Sequence, residues 1–218
     1  MFITFEGVDG SGKSTQTKQT AAYLRARGYD VLLTREPGGT VIGDQIRTVL
    51  FGKKGDVRKD AMSPQSELLL FCASRAQLVR EVIHPHLAKG GIVLCDRYAD
   101  SSLAYQGYGH GLELEMVRNI LDFATEGLRP DLTIYLDIKP NVALKRRETG
   151  SLFGEEWNRL DDMELAFHRR VYEGYAEMMR ADPARWVAVN ADQAEGKVQA
   201  EIIQQLATRL PTAERSNG

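Results

Sequence analysis

"FEGVDGSGKST", Phe5–Thr15, is the stretch whose reading decides the fold. From Gly7 to Ser14 it fits G-x-x-x-x-G-K-[ST]. An apolar run, "MFITFE" (Met1–Glu6), precedes it, and a helical pattern over residues 13–27 follows. A strand, a glycine-rich turn and a helix N-terminus together make an anion site. Glycines let successive backbone N–H groups turn inward, and the helix end adds its partial positive charge. Lys13 is then placed to reach the outer phosphates and the Ser14 hydroxyl to meet Mg2+. The loop residues Gly7, Val8, Asp9, Gly10, Ser11, Gly12, Lys13, Ser14 and Thr15 are therefore expected to hold a nucleoside triphosphate with magnesium. Asp9 fits this less simply, because it puts a carboxylate inside a cradle for polyanions. Either it is a turn residue on the surface, or the loop has a second task.

Outward from the loop, short apolar runs alternate with longer helical patterns. Met1–Glu6, Asp30–Glu36, Gly91–Tyr98, Leu132–Asp137 and Trp186–Ala191 read as strands. They are rich in β-branched residues and do not alternate cleanly, as expected of strands covered on both faces. Helical stretches fall at about 13–27, 41–51, 64–88, 113–126, 140–149, 158–181 and 194–209. Such alternation implies an α/β fold: a five-stranded parallel sheet flanked by helices, in three layers, with right-handed crossovers. Residues 1–210 read as one domain, and the polar 211–218 as a flexible tail.

Composition agrees. The chain has 218 residues, 43% hydrophobic and 27% charged, enough apolar matter for a substantial core. A net charge of −2 gives no general field to recruit nucleic acid, so any polyanion needs a local basic site. No run approaches the roughly 18 apolar residues of a membrane span, and the N-terminus enters a strand directly. The expected setting is the cytoplasm, where Cys72 and Cys95, both inside apolar runs, would be buried free thiols.

Phosphate loops serve kinases, switch GTPases, motors and transport ATPases alike, so the choice rests on the rest of the chain. "GIVLCDRYADSSLAYQGYGHG" (Gly91–Gly111) ends a strand on Asp96, from which a carboxylate can hold Mg2+ through water. Arg97 follows at the strand's C-terminal end, where open α/β sheets bind ligands; a structural Asp–Arg pair is the alternative. Ser101, Ser102, Tyr105 and Gln106 form a polar set on a short helix, or an ordinary polar loop. In "ELLLFCASRAQLVREVI" (Glu67–Ile83), Phe71 and Arg75 are four apart and share a helix face. They can form a base platform with a donor beside it, or a core ring and a paired arginine. "TREPGGT" (Thr34–Thr40) breaks the chain, and the next helix carries Arg47.

"LKRRETGSLFGEEWNRLDD" (Leu144–Asp162) is basic, then glycine-bearing, then acidic. Arg146, Arg147 and Arg159 make it a candidate lid at about 145–160, or a solvated charged turn. Asp161, Glu164 and His168 fall at i, i+3 and i+7, a spacing for a metal or, more simply, for a solvated helix face.

Taken together, "FEGVDGSGKSTQ", "TREPGGT", "LLLFCASRAQ", "DRYADSSLAYQG" and "NRLDDMELAFHRRVYEGY" resemble the bacterial thymidylate kinases, in order, from Met1 to about Ala191. The resemblance implies a phosphate-loop kinase fold and transfer of the γ-phosphoryl group of ATP to thymidine 5′-monophosphate (dTMP), with Mg2+, in a homodimer. It implies that Phe71 stacks on thymine and that Arg75 hydrogen-bonds the base. Ser102 and Gln106 would complete base recognition, and Tyr105 would pack near the deoxyribose. Arg47 and Arg97 would hold the acceptor phosphate. Glu36 and Pro37 would form a tight turn beside the sugar, with a cis peptide bond. Asp9 would face the acceptor's 3′-hydroxyl and join Ser14 and Asp96 around the metal.

Lys13, Arg97, Arg146 and Arg147 would supply the catalytic cations. The acceptor is an ionised phosphate oxygen, so charge stabilisation rather than a general base does the work. With no arginine in the loop and two at the lid, the chain resembles the subfamily in which the lid carries the cation. Asn158, His110, Phe153 and Trp157 depart from the family pattern.

Overall fold

Five strands are built from the β-branched runs: β1 (Phe2–Glu6), β2 (Val31–Arg35), β3 (Ile92–Asp96), β4 (Leu132–Asp137) and β5 (Trp186–Asn190). Each lies within a stretch that reads as strand in the sequence. The computed structural model describes residues 1–52, 62–152 and 163–210. The strands form one all-parallel sheet in the order β2-β3-β1-β4-β5. β1 is central: the chain leaves it for one edge, returns through β3 and crosses to β4 and β5. All five β1 residues are buried, which explains the missing alternation. Phe5 and Ile134, both at 0% exposure, each contribute about 1.5–3 kcal/mol by leaving water.

The flanking helices are α1 (Lys13–Arg25), α2 (Val41–Phe51), α3 (Pro64–Leu78), α4 (His84–Ala88), α5 (Ala99–Ser102), α6 (Leu114–Thr125), α7 (Pro140–Leu152), α8 (Leu165–Ala181) and α9 (Glu195–Ala207). Local chemistry starts several of them. Thr40 caps α2 by accepting from Gly43 N–H, and Ser63 caps α3 ahead of Pro64. Glu113 caps α6 by accepting from two backbone N–H groups.

Two departures from the sequence reading matter for the site. The expected single helix over 64–88 contains a π-helical turn at Val79–Ile83, just before Pro85. Proline has no N–H for the carbonyl four residues back and crowds it, so the wider turn relieves the clash. The second departure follows α5, where the chain widens into a π-helical segment, Leu103–Gly109. The packing of α8 accounts for it. A Cβ on Gly109 would lie 2.7 Å from the Phe167 ring, so only glycine allows this approach. A two-pronged pair, Arg185 to Asp100 at 2.6 and 3.1 Å, ties the start of β5 to α5 and steadies the segment that carries the polar set.

Candidate active site

The loop between β1 and α1 takes the cradle form. Gly10 has φ +82°, and a Cβ there would lie 2.2 Å from the Ala143 carbonyl oxygen on α7. Gly12 caps α1 from the left-handed region, φ +90°. Lys13 Nζ donates to the Val8 carbonyl at 2.9 Å and lies 3.4 Å from Ser11 Oγ. Burial, then the Arg97 charge, pull the Lys13 pKa down to about 8, against the pull of Asp9, Asp96 and Glu6. An ammonium with that pKa sets a pH dependence. Below about pH 8 the free protein presents the cation; above it, binding a triphosphate must first recruit a proton. ATP affinity, by calorimetry, should therefore fall between pH 7 and 9, approaching tenfold per unit above the pKa. A flat profile would mean that Lys13 stays charged across this range.

Ser14 Oγ donates to Asp96 Oδ2 at 2.5 Å, joining the first turn of α1 to the end of β3. Two hard oxygen groups meet here at the C-terminal edge of the sheet. No group of three or more His, Cys, Asp or Glu able to hold a metal occurs among the described residues. This donor set fits Mg2+, which keeps most of its waters and takes only one or two protein oxygens beside substrate phosphates.

Arg97 occupies the centre. Its φ is +72°, a left-handed conformation rare for a side chain of this size. Three contacts hold it there. Arg97 N–H donates to Phe5 O, the Cys95 thiol donates to Arg97 O, and Tyr98 N–H donates to the buried Glu6 carboxylate at 2.8 Å. The guanidinium fork is fully used. Nη1 donates to Gly7 O and Ser101 Oγ, at 3.2 and 2.9 Å. Nη2 donates to Asp9 Oδ1 at 2.6 Å and to Tyr105 Oη at 3.2 Å. Asp9 Oδ2 accepts from Tyr105 Oη at 2.7 Å.

Burial alone would raise the Asp9 pKa. The Arg97 and Lys13 charges and the Tyr105 hydroxyl instead hold it far below the usual carboxylate range. Asp9 is thus the counter-ion that orients Arg97. Both its oxygens are engaged, Oδ1 by Arg97 and Oδ2 by Tyr105. Glu6, beneath, is pushed up to about 7 by burial and by Asp100, against Arg97 and the Ser101 and Tyr175 hydroxyls.

The loop opens into a cleft of about 530 Å3, and one continuous wall carries both halves of the expected site. Gly10, Gly12, Lys13, Ser14, Thr15, Asp96, Arg146 and Arg147 line the phosphate end. Glu36, Pro37, Arg47, Phe71, Ser102, Tyr105 and Gln106 line the other, with Asp9 and Arg97 between. The Glu36–Pro37 bond is cis. Arg47 donates to Pro37 O at 3.1 Å. Arg75 does not line the cleft. It lies behind Glu36 and Ser102, 1% exposed, donating twice to Glu36 Oε2 at 2.8 and 2.6 Å and once each to Tyr98 O and Ser102 Oγ. The paired-arginine reading of Arg75 therefore describes its present partners.

Glu36 Oε1 and Gln106 Oε1 are buried without a hydrogen-bond partner among the described residues. Unmatched buried acceptors are costly, so these two mark where a ligand with donors would fit. Lys18, Arg35, Phe51 and Ser101 also line the cleft. Of these, Lys18, Arg35 and Phe51 escaped the sequence reading. Arg35 ends β2 in register with Asp96, a placement only the sheet reveals.

Arg146 is engaged beyond β5, donating to Ala191 O at 2.8 Å and Asp192 Oδ1 at 3.0 Å. Arg146 and Arg147 sit on α7. Phe153, Trp157, Asn158, Arg159 and Asp161 lie outside the described residues, as do residues 153–160 of the candidate lid and the 211–218 tail. The solvated face expected of Glu164 and His168 needs correction. Glu164 is exposed, but His168 is 1% exposed and packs edge-on to Phe167. Cys72 and Cys95 are buried free thiols.

Three comparisons bear on this geometry. The thymidylate kinase family model matches residues 5–202. A thymidylate kinase of Roseiflexus sp. (strain RS-1) is 53% identical over 201 residues, 88% of this chain and 87% of its own. One from Chlorobium luteolum is 44% identical over 96% of this chain and 98% of its own. The crystal structure of thymidylate kinase from Ehrlichia chaffeensis superposes with a TM-score of 0.74 at 33% identity, covering 94% of this chain and 98% of that one. The chain belongs to the thymidylate kinase family and is an ATP-dependent phosphotransferase.

Proposed function

We propose that the chain transfers the γ-phosphoryl group of ATP to dTMP, giving dTDP and ADP for dTTP synthesis. The observation that carries this reading is a single cleft with a phosphate cradle at one end, walls of Phe71, Ser102 and Gln106 with unmatched acceptors at the other, and Arg97 between them. The cradle from Gly7 to Thr15 takes the triphosphate. Phe71 stacks on the base, with Ser102 and Gln106 reading its edge and Arg75 holding Ser102 and Glu36 from behind. Tyr105, Glu36 and Pro37 pack the sugar side, and Arg47 and Arg97 hold the acceptor phosphate. Ser14 and Asp96 would hold Mg2+, which when bound draws charge from the transferring phosphoryl. Lys13, Arg97 and the arginines at 146 and 147 neutralise the meeting of two anions. Asp9 serves by orienting Arg97.

Residues 1–210 act as one kinase unit, with a lid at about 145–160. A homodimer is supported by apolar side chains on α3 and α6: Leu69, Met116 and Phe123 border one depression and are 58%, 39% and 88% exposed. Sedimentation as a monomer at micromolar concentration would remove it. We place the chain in the cytoplasm, and the net charge of −2 gives no general field to recruit nucleic acid.

The deciding experiment is an ADP-release assay with ATP, Mg2+ and a panel of monophosphates. The expected result is the highest kcat/KM for dTMP. Faster turnover of AMP, GMP or UMP would overturn the reading.

A further inference from the structure

Gln106 carries its amide into the base end of the cleft, and something other than substrate decides which way the amide points. Its side chain is 1% exposed. Nε2 donates to Glu67 Oε1 at 2.6 Å, and Glu67, on α3, is 0% exposed. With Nε2 donating to this carboxyl oxygen, the amide nitrogen faces Glu67. The oxygen, Oε1, is what remains for the cleft, and it has no partner among the described residues. His110 lies against the same Glu67 oxygen, its Nε2 3.3 Å away.

We propose that Glu67 is the positioning residue that presents Gln106 to the base as a hydrogen-bond acceptor and so sets the choice of pyrimidine. The inference rests on the dTMP reading above. Thymine and uracil carry N3–H, a donor, between two carbonyl oxygens. Cytosine offers an unprotonated N3 there, an acceptor. A fixed Gln106 Oε1 meets the first with a hydrogen bond and the second with two facing lone pairs. A buried polar mismatch of that kind discriminates far better than shape does. Glu67 thus adds a repulsive element against cytosine as well as an attractive one for thymine.

Glu67→Gln keeps the size of the side chain and removes the constraint. The amide introduced in place of the carboxylate can accept from Gln106 or donate to it, so either face of the Gln106 amide can meet the base. The measurement is kcat/KM for dTMP and dCMP, with ATP affinity by calorimetry on the same samples. Wild type should use dTMP and reject dCMP. In Glu67→Gln the dTMP-to-dCMP ratio should fall by roughly tenfold or more, through the acceptor KM, with ATP affinity unchanged.

The double variant Glu67→Gln, Gln106→Glu restores a one-way bond, now donated by residue 67, and should recover the ratio. It also serves as the readout where the single variant does not fold. An unchanged ratio in the single variant, or equal losses for dTMP and for ATP binding, overturns the proposal, as does a double variant whose ratio stays collapsed. Failure of wild type to use dTMP would instead overturn the parent reading.

Discussion

Replacing Arg97 by Ala should lower kcat/KM for dTMP by roughly 10²–10³-fold, because it removes a preorganised cation from the point where two phosphates meet. The geometry makes the prediction specific. The fork spends one nitrogen on Gly7 O and Ser101 Oγ, and the other on Asp9 and Tyr105. Arg97→Lys keeps the charge but cannot make both pairs, and should recover only part of the rate. The backbone gives an independent control. Alanine at position 97 still bears the left-handed φ of +72°, whereas glycine does not, so Arg97→Gly should melt higher than Arg97→Ala while being equally inactive. Steady-state kinetics on the three variants check the first claim and thermal unfolding the second. An Arg97→Ala enzyme with undiminished turnover would end the role assigned to this residue.

Arg75→Met should cost about 3–5 kcal/mol of stability, because it strands a buried carboxylate. Arg75 and Glu36 meet at 2.6 Å with side-chain exposures of 1% and 2%. Burial raises the Glu36 pKa, and the Arg75 charge and hydrogen bonds counter it. For Arg75 itself burial lowers the pKa, but the Glu36 charge outweighs this and raises it.

Without Arg75, the folded-state pKa of Glu36 rises further above its unfolded value. Stability in the variant is then lost as pH rises through that folded pKa and recovered below the unfolded one. Urea unfolding at pH 5.5 and pH 8 should show the larger deficit at pH 8. Arg75→Met with Glu36→Gln should regain part of it, since a neutral pair leaves no stranded charge. A deficit independent of pH would mean that lost packing, not the carboxylate, is responsible.

Much of the cradle could be read from the chain because its cause is local. A strand, a turn that needs left-handed glycines and a helix N-terminus are adjacent in sequence, and Gly10, Gly12, Lys13 and Ser14 sit within one turn of each other. Strand positions were equally legible, since burial on both faces leaves continuous apolar runs. The π-helical segment at Leu103–Gly109 was not, because its last residue packs closely on Phe167, far away in the chain. Arg35 and Phe51 were missed for a similar reason: nothing near them in sequence marks them, and they reach the cleft through the sheet edge and the α2 packing.

Asp9 shows the division most clearly. By sequence it was a carboxylate among phosphate-binding groups, and the resemblance set it beside a sugar hydroxyl and a metal. Its partners, Arg97 and Tyr105, are 88 and 96 residues away. Only the parallel register of β1 with β3, which aligns Phe5 with Asp96, brings the loop and the arginine to the same sheet end. Residue type and spacing were enough to establish that the chain cradles a triphosphate, because backbone geometry over a few residues makes that site. Which charges face one another across the cleft depended on strand order and register, which long-range packing determines.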